Sequence, residues 1–267
     1  MRRFSNPALL VSLAIVMAIL VYAWTMRGTE TGIQQAEEKY TAGEKAASIA
    51  ERAQDFNEAL KIYLTLEESY HPTFGNGRLY YDIGNTYFQL GEYPLAILYY
   101  NRAKELMLRD ERVIHNLQAA SNKLALPKQL ASNPFASVFF FHTYLSLPER
   151  LQLFFGLALT ALIFASLYIW VHSKWLRNIA IFAVSLAGVM LLSVGFTHYF
   201  SPVEAVMIKS ANMRRDAGNQ YAKVSDQPIP AGTKVEVLGS TSDGLWYKVS
   251  TSNKDFGYVP QETIRLI

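Results

Sequence analysis

The chain contains no cysteine. That absence excludes disulfide staples, thiolate metal sites, thiol nucleophiles and an acylated lipoprotein cysteine, and fits either redox compartment. Charge is also scarce: Asp, Glu, Lys and Arg make up 18% of the 267 residues, where about a quarter is usual for soluble chains. Part of the chain is therefore expected to lie outside water. The net charge of +3, from 25 basic and 22 acidic residues, comes with no basic cluster, so no nucleic-acid partner is expected. The five histidines have no acidic residues grouped around them, so no metal or other cofactor is expected. Missing too are a Ser/His/Asp order with a nucleophile elbow, a Gly-rich phosphate loop and an HExxH helix. The carboxylate pairs Glu37-Glu38 and Glu67-Glu68 read as solvated helix faces, so no catalytic residue is assigned and the chain is not expected to be an enzyme.

Three uncharged runs stand out. Met1-Arg2-Arg3 precedes Ala8 to Trp24, so residues 1–24 read as a signal peptide or an N-terminal membrane anchor; Val21-Tyr22-Ala23 suits cleavage, and the run length suits retention. Residues 151–171 hold twelve Leu, Ile, Phe and Val. These favour insertion by about 4 to 7 kcal/mol. Residues 178–197 form the second arm of a transmembrane hairpin, and His172 to Arg177 between the arms carries two full positive charges. By the positive-inside rule that loop is cytoplasmic, as are Arg2 and Arg3, which sends both large hydrophilic segments to the outer side. Trp170, Trp175, Tyr168 and Tyr199 fit an aromatic belt, against the alternative of a buried soluble hairpin. Small residues at Ala161/Ala165 and Ala183/Ala187 would let helices pack closely.

Residues 33–126 show helical spacing, with turns at Tyr70-His71-Pro72 and at Phe74 to Gly77. From Gly77 to Asp110 the positions Tyr80, Gly84, Tyr87, Ala96, Tyr100 and Ala103 follow a small/aromatic register that resembles the tetratricopeptide repeat, with Leu108 standing where that family often has proline. Phe56, Ala59 and Tyr63, with Ala47 and Ala50 in a first helix, suggest a degenerate repeat upstream; Ile114, Leu117, Ser121 and Leu124 suggest a further amphipathic helix. A plain helical bundle is the alternative. Arg78, Asn85, Gln89, His115 and Asn116 are candidate groove residues, each also readable as solvated helix surface. Residues 134–147 are rich in aromatics and read as an interfacial segment in which His142 binds no metal.

After Ser201-Pro202 the pattern shifts to short alternating runs: Val203–Ile208, Gln220–Val224, Thr233–Gly239, Leu245–Val249 and Phe256–Val259. A small β-barrel is expected over 203–267, with Val235, Val237, Trp246 and Val249 in its core. Ala211 to Arg215, Ile229 to Val237, Gly244 to Val249 and Phe256 to Val259 resemble, in order and spacing, the bacterial SH3 domain. Trp246 and Tyr258 are the candidate ligand surface, with Trp246 also readable as core. Eight basic residues against seven acidic ones in 203–267 show no overall charge that selects a ligand.

The expected fold class is an α+β multidomain membrane protein: tetratricopeptide hairpins, a two-helix transmembrane hairpin and an SH3-like barrel. This order of modules resembles the tetratricopeptide–SH3 membrane proteins of bacterial aerotolerance operons, the BatE type. The resemblance implies a membrane-associated protein; with the outer side read from the basic markers, a two-membrane bacterium would hold it in the inner membrane with its soluble domains in the periplasm. It also implies envelope protein partners, some with von Willebrand type A domains. The expected function is a protein-interaction scaffold, the repeats binding a peptide segment of an envelope protein and the SH3-like domain a second partner; the alternative is an SH3-like module that localises the chain at peptidoglycan.

Overall fold

The computed structural model describes residues 31–70, 76–127 and 144–267. The apolar run 1–24, the turn residues 71–75 and the aromatic stretch 134–143 with His142 lie outside the described residues. Helix α1 covers 31–45, followed by α2 (Ile49–Tyr70), α3 (Gly77–Gln89), α4 (Tyr93–Leu106) and α5 (Glu111–Lys123). Two long apolar helices follow, α6 (Leu147–Val171) and α7 (Lys174–Phe200), and then the strands β1 (Val203–Met207), β2 (Lys234–Ser240), β3 (Trp246–Ser250), β4 (Phe256–Pro260) and β5 (Ile264–Leu266).

The chain divides into two compact units: one holds α1, α2 and Asn85–Gly91, the other Asn76–Gly84 and Glu92–Ile267. In the first unit the Tyr40 and Phe56 rings meet at 5.2 Å, a Cβ at Gly43 would stand 3.0 Å from the Phe56 ring, and Lys39 Nζ pairs with Glu58 at 2.6 Å. Phe56, Ala59 and Tyr63 are buried along one face of α2. Ala47 and Ala50 do not share the first helix as expected: Ala47 lies in the break after α1, and Ala50 belongs to α2. The cause is Ser48, whose Oγ accepts from Glu51 N at 3.1 Å and so starts a new helix there.

In the second unit the starts of α3, α4 and α5 have local reasons. Asn76 Oδ1 accepts from Arg78 N and Leu79 N at 3.0 and 3.3 Å; proline stands in the first turn of α4; Asp110 caps α5 by accepting from Arg112 N at 3.0 Å. Helix α4 is the most enclosed, with Ala96 through Asn101 and Ala103 all buried. On α5 the buried residues are Val113 and Ala120; of the expected stripe only Ile114, 43% exposed, is turned out, while Leu117, Ser121 and Leu124 are half-buried. Val113, Leu117 and Ala120 form an equally regular i, i+4, i+7 set, and that face turns inward.

Helices α6 and α7, of 25 and 27 residues, pack as a hairpin and are long and apolar enough to cross a membrane. Ala161, Ala180, Ala183 and Ala187 lie inside the contact, whereas Ala165 is exposed, so only part of the expected small-residue spacing is used between the two helices. Most of the remaining apolar surface faces outward, from Phe155 and Leu162 to Trp170 and Phe182. The connecting loop is shorter than expected: His172 in the left-handed conformation (φ 53°) closes α6, and Lys174 and Arg177 already belong to the first turn of α7. At the other end a capping box joins Ser146 and Glu149, each donating its backbone N–H to the other's side chain.

The C-terminal strands form one antiparallel sheet in the order β4-β3-β2-β1-β5. It is not the closed barrel expected from the sequence. Its edge strands β4 and β5 do not pair with each other; instead Arg214 and Tyr258 exchange two backbone hydrogen bonds of 2.8 Å along the free edge of β4. That contact needs Gly257, where a Cβ would fall 2.5 Å from Arg214 O. The run Gln220–Val224 is no strand and reaches Arg214 through a single bridge at Lys223, and a terminal strand, β5, is added. Ala205, Met207, Met213, Ile229, Val235, Val249, Val259 and Ile264 make the core, with Val237 at its margin. Trp246 is outside it: paired with Pro260 in the β3–β4 register, it shares the opposite face with Lys248 and Tyr258.

Candidate interaction surfaces

Within the second unit the helices bring two of the expected packing residues, Gly84 and Tyr100, into direct contact. A Cβ at Gly84 would lie 2.7 Å from Cδ1 and Cε1 of Tyr100, and Tyr100, Ala96 and Ala103 are fully enclosed. Tyr80 is 7% exposed and faces Tyr99 at 6.1 Å, with the Arg102 guanidinium 5.8 and 5.0 Å from those two rings. Tyr87 is partly buried and belongs to the first unit.

Of the candidate groove residues, the structure brings His115 and Asn116 together at an open depression that Tyr81, Arg112 and Gln118 also line. Asn116 Nδ2 donates to Tyr81 Oη at 3.1 Å, and the Arg112 guanidinium lies 5.5 Å from the Tyr81 ring. Asp110 holds Arg112 through two side-chain hydrogen bonds of 3.0 and 2.7 Å, and that pairing pulls the Asp110 carboxyl below its usual range. Arg78 is exposed at the start of α3. Asn85 and Gln89 fall in the first unit, where Gln89 Nε2 donates to Tyr40 Oη at 3.5 Å. Tyr81 and Arg112 escaped sequence reasoning, because a tyrosine and an arginine on amphipathic helices carry no local mark of a shared depression.

The opposite flank of the same hairpin meets the sheet. Gly232, with φ +85°, comes so close to Ile97, Leu124 and Leu126 that a Cβ would lie within 2.6 to 2.9 Å of their methyls. Arg102 Nη2 donates to Leu266 O at 2.8 Å, and α4 contacts β1, where Val206 is wholly buried outside the sheet's own core. Lys234 Nζ pairs with Glu204 at 2.5 Å beside this contact. Crowding by packed atoms pushes the Lys104 ammonium down and the Glu105 carboxyl up, although both side chains still reach solvent, and Glu204 adds to the shift of Glu105. At the end of α4 the chain also holds the apolar hairpin: Arg109 bonds Glu149 and lies 4.6 Å from the Tyr144 ring.

Trp246 and Tyr258, the candidate ligand residues of the sheet, share its outer face on neighbouring strands, diagonal to each other in the register. Lys248 sits directly opposite Tyr258, with its ammonium 5.4 Å from the Phe256 ring. Trp246 and Tyr258 are partly buried and Phe256 is exposed. Among the described residues no group of three or more His, Asp or Glu stands close enough to hold a metal ion.

Residues 77–106 match the tetratricopeptide repeat family and residues 209–265 match the bacterial SH3 domain family, so the chain carries both modules. No curated protein matches the chain.

Proposed function

We propose that the chain is a non-enzymatic, membrane-anchored scaffold on the periplasmic side of a bacterial inner membrane, similar in plan to the BatE proteins of aerotolerance operons. Its repeat depression binds one envelope protein, with von Willebrand type A domain proteins as candidates, and its SH3-like face engages a second. The carrying observation is that the repeat hairpin and the sheet pack against each other, which leaves the Tyr81/His115/Asn116 depression and the Trp246/Tyr258 face as separate open surfaces on one body. Holding two binding surfaces on one body raises the effective concentration of each partner for the other. The outward apolar faces of α6 and α7 support anchoring. Lys174 and Arg177 support the orientation: cations in the first turn of a helix oppose its macrodipole, so local helix energetics do not account for them and the positive-inside rule does.

The test is affinity capture of the full-length chain from gently solubilised membranes beside His115→Ala/Asn116→Ala. These exposed and half-exposed positions spare the buried Tyr100, whose loss would unfold the repeat. Envelope proteins captured by the parent chain and lost with the variant support the scaffold; equal capture sinks it. A topology reporter placed after Ile267 fixes the side of the sheet. A wall-associating reading is favoured by one observation, the aromatic pair Trp246/Tyr258 on an open sheet face, and predicts co-sedimentation with purified sacculi that Trp246→Ala abolishes.

A further inference from the structure

The strand register puts cations in file. Lys223 stands opposite Arg214, Arg214 opposite Tyr258, and Tyr258 opposite Lys248, so Lys223, Arg214, Tyr258 and Lys248 form a single row across the sheet. Arg215 N bonds Ala222 O at 2.9 Å and Val224 N bonds Met213 O at 2.9 Å, which makes Arg214 and Lys223 a non-hydrogen-bonded pair, the arrangement that brings side chains closest. Two like charges directly opposed destabilise a ladder. Among the described residues no carboxylate pairs with Lys223, Arg214 or Lys248; Arg214 Nη1 donates only to the backbone of Tyr221, at 3.0 Å, and Lys248 lies against Phe256. The fold thus carries an uncompensated basic row interrupted by one aromatic ring and flanked by Trp246.

We infer that this row is the seat of an acidic, extended peptide segment of a partner protein, which crosses the strands with a carboxylate near each end and an apolar or aromatic side chain over Tyr258. This inference rests on the reading of the Trp246/Tyr258 face as a ligand surface and gives it a ligand chemistry. The dimensions fit: three successive strand spacings set Lys223 and Lys248 roughly 15 Å apart. Side chains at i and i+4 of an extended chain are about 13 Å apart. The single-file arrangement favours a narrow segment over a flat anionic bilayer. Glu236, opposite Ser250 on the same face and exposed, would face the headgroups of a bilayer, whereas a segment confined to the row avoids it.

The experiment uses the full-length chain in nanodiscs of zwitterionic lipid and fluorescence anisotropy of the labelled peptide Gly-Ser-Glu-Ala-Tyr-Ala-Glu-Ser-Gly, beside its Gln-for-Glu counterpart. The acidic peptide is expected to bind roughly ten-fold tighter than the Gln peptide, with an advantage that shrinks as salt rises. The double variant Arg214→Gln/Lys223→Gln should abolish that advantage while melting no lower than the parent, because it also relieves the like-charge pair. Lys209→Gln, an exposed cation off the row, should leave binding unchanged. Equal binding of the two peptides, or acidic binding indifferent to the double variant, overturns the inference. Sacculi, or phosphatidylglycerol vesicles, bound through Trp246 and Tyr258 in place of the peptide also overturn it, while the surface reading stands. If Trp246→Ala and Tyr258→Ala change binding of none of these probes, the surface reading falls with it.

Discussion

Gly84 lies against the ring of Tyr100, so close that a methyl group at 84 would stand 2.7 Å from two ring carbons. Tyr100 is 1% exposed and has no room to swing away. Gly84→Ala therefore has to push α3 and α4 apart or strain the ring, at a cost of about 1 to 3 kcal/mol. Gly84→Leu should cost more and expose the repeat to proteolysis. Thermal melting of the full chain beside Gly84→Ala checks this, and an unchanged melting point would contradict the close approach.

The helical repeat was readable because its signal is local. Small residues at Gly84 and Ala96 and aromatics at Tyr80 and Tyr100 sit at fixed offsets within one hairpin, and residues 77–106 match the repeat family. The basic row was not readable: Lys223, Arg214 and Lys248 are scattered along the chain, and only long-range pairing at the β4 edge aligns them. Nearly balanced charge over 203–267 concealed it. Trp246 was left open between core and ligand surface for a related reason. Alternation within β3 gives two faces, and nothing local says which one the core takes; Val249 and Tyr247 take the core side. Barrel closure failed because whether two edge strands meet depends on the segment between β1 and β2, whose Arg214 occupies the β4 edge.

Asp110 both caps α5 and pairs with Arg112. Its carboxyl titrates below the usual value in the folded chain, so the folded state binds the proton more weakly than the unfolded state. The stabilisation is then present above the ordinary carboxylate range and is lost as pH falls through the depressed value. Asp110→Ala should cost about 1 kcal/mol at pH 7, from the lost cap. The gap between the two melting points should narrow as acid is added. A gap independent of pH would mean that the charge contributes nothing.

Gly232 makes the contact between the repeat hairpin and the sheet. Its φ of +85° already disfavours any side chain, and a Cβ would press on Leu124, Ile97 and Leu126. Gly232→Val should loosen this contact specifically. Hydrogen exchange should quicken at the Arg102–Leu266 junction and at Val206, while the β3–β4 ladder stays protected. Uniform loss of protection across the sheet would show that Gly232 serves the sheet's own fold and not the junction.

Arg150 is 4% exposed at the start of the apolar hairpin, and its Nη1 donates to Ser193 O, Ser193 Oγ and Thr197 Oγ1 at 3.2, 2.9 and 2.7 Å. These bonds tie α6 to α7 where both helices meet the soluble part of the chain. Removing an acceptor from a buried cation is costlier than removing the pair together. Ser193→Ala should therefore lower the stability of the hairpin in detergent by about 1 to 3 kcal/mol. Arg150→Met should be milder than the sum of its lost bonds suggests, because its apolar stem keeps the packing and no buried charge remains. In Arg150→Met, the further change Ser193→Ala should cost only a fraction of what it costs in the parent. A double-mutant cycle read by thermal unfolding in micelles tests this coupling, and additive effects would mean that the two helices are held by their alanine seam alone.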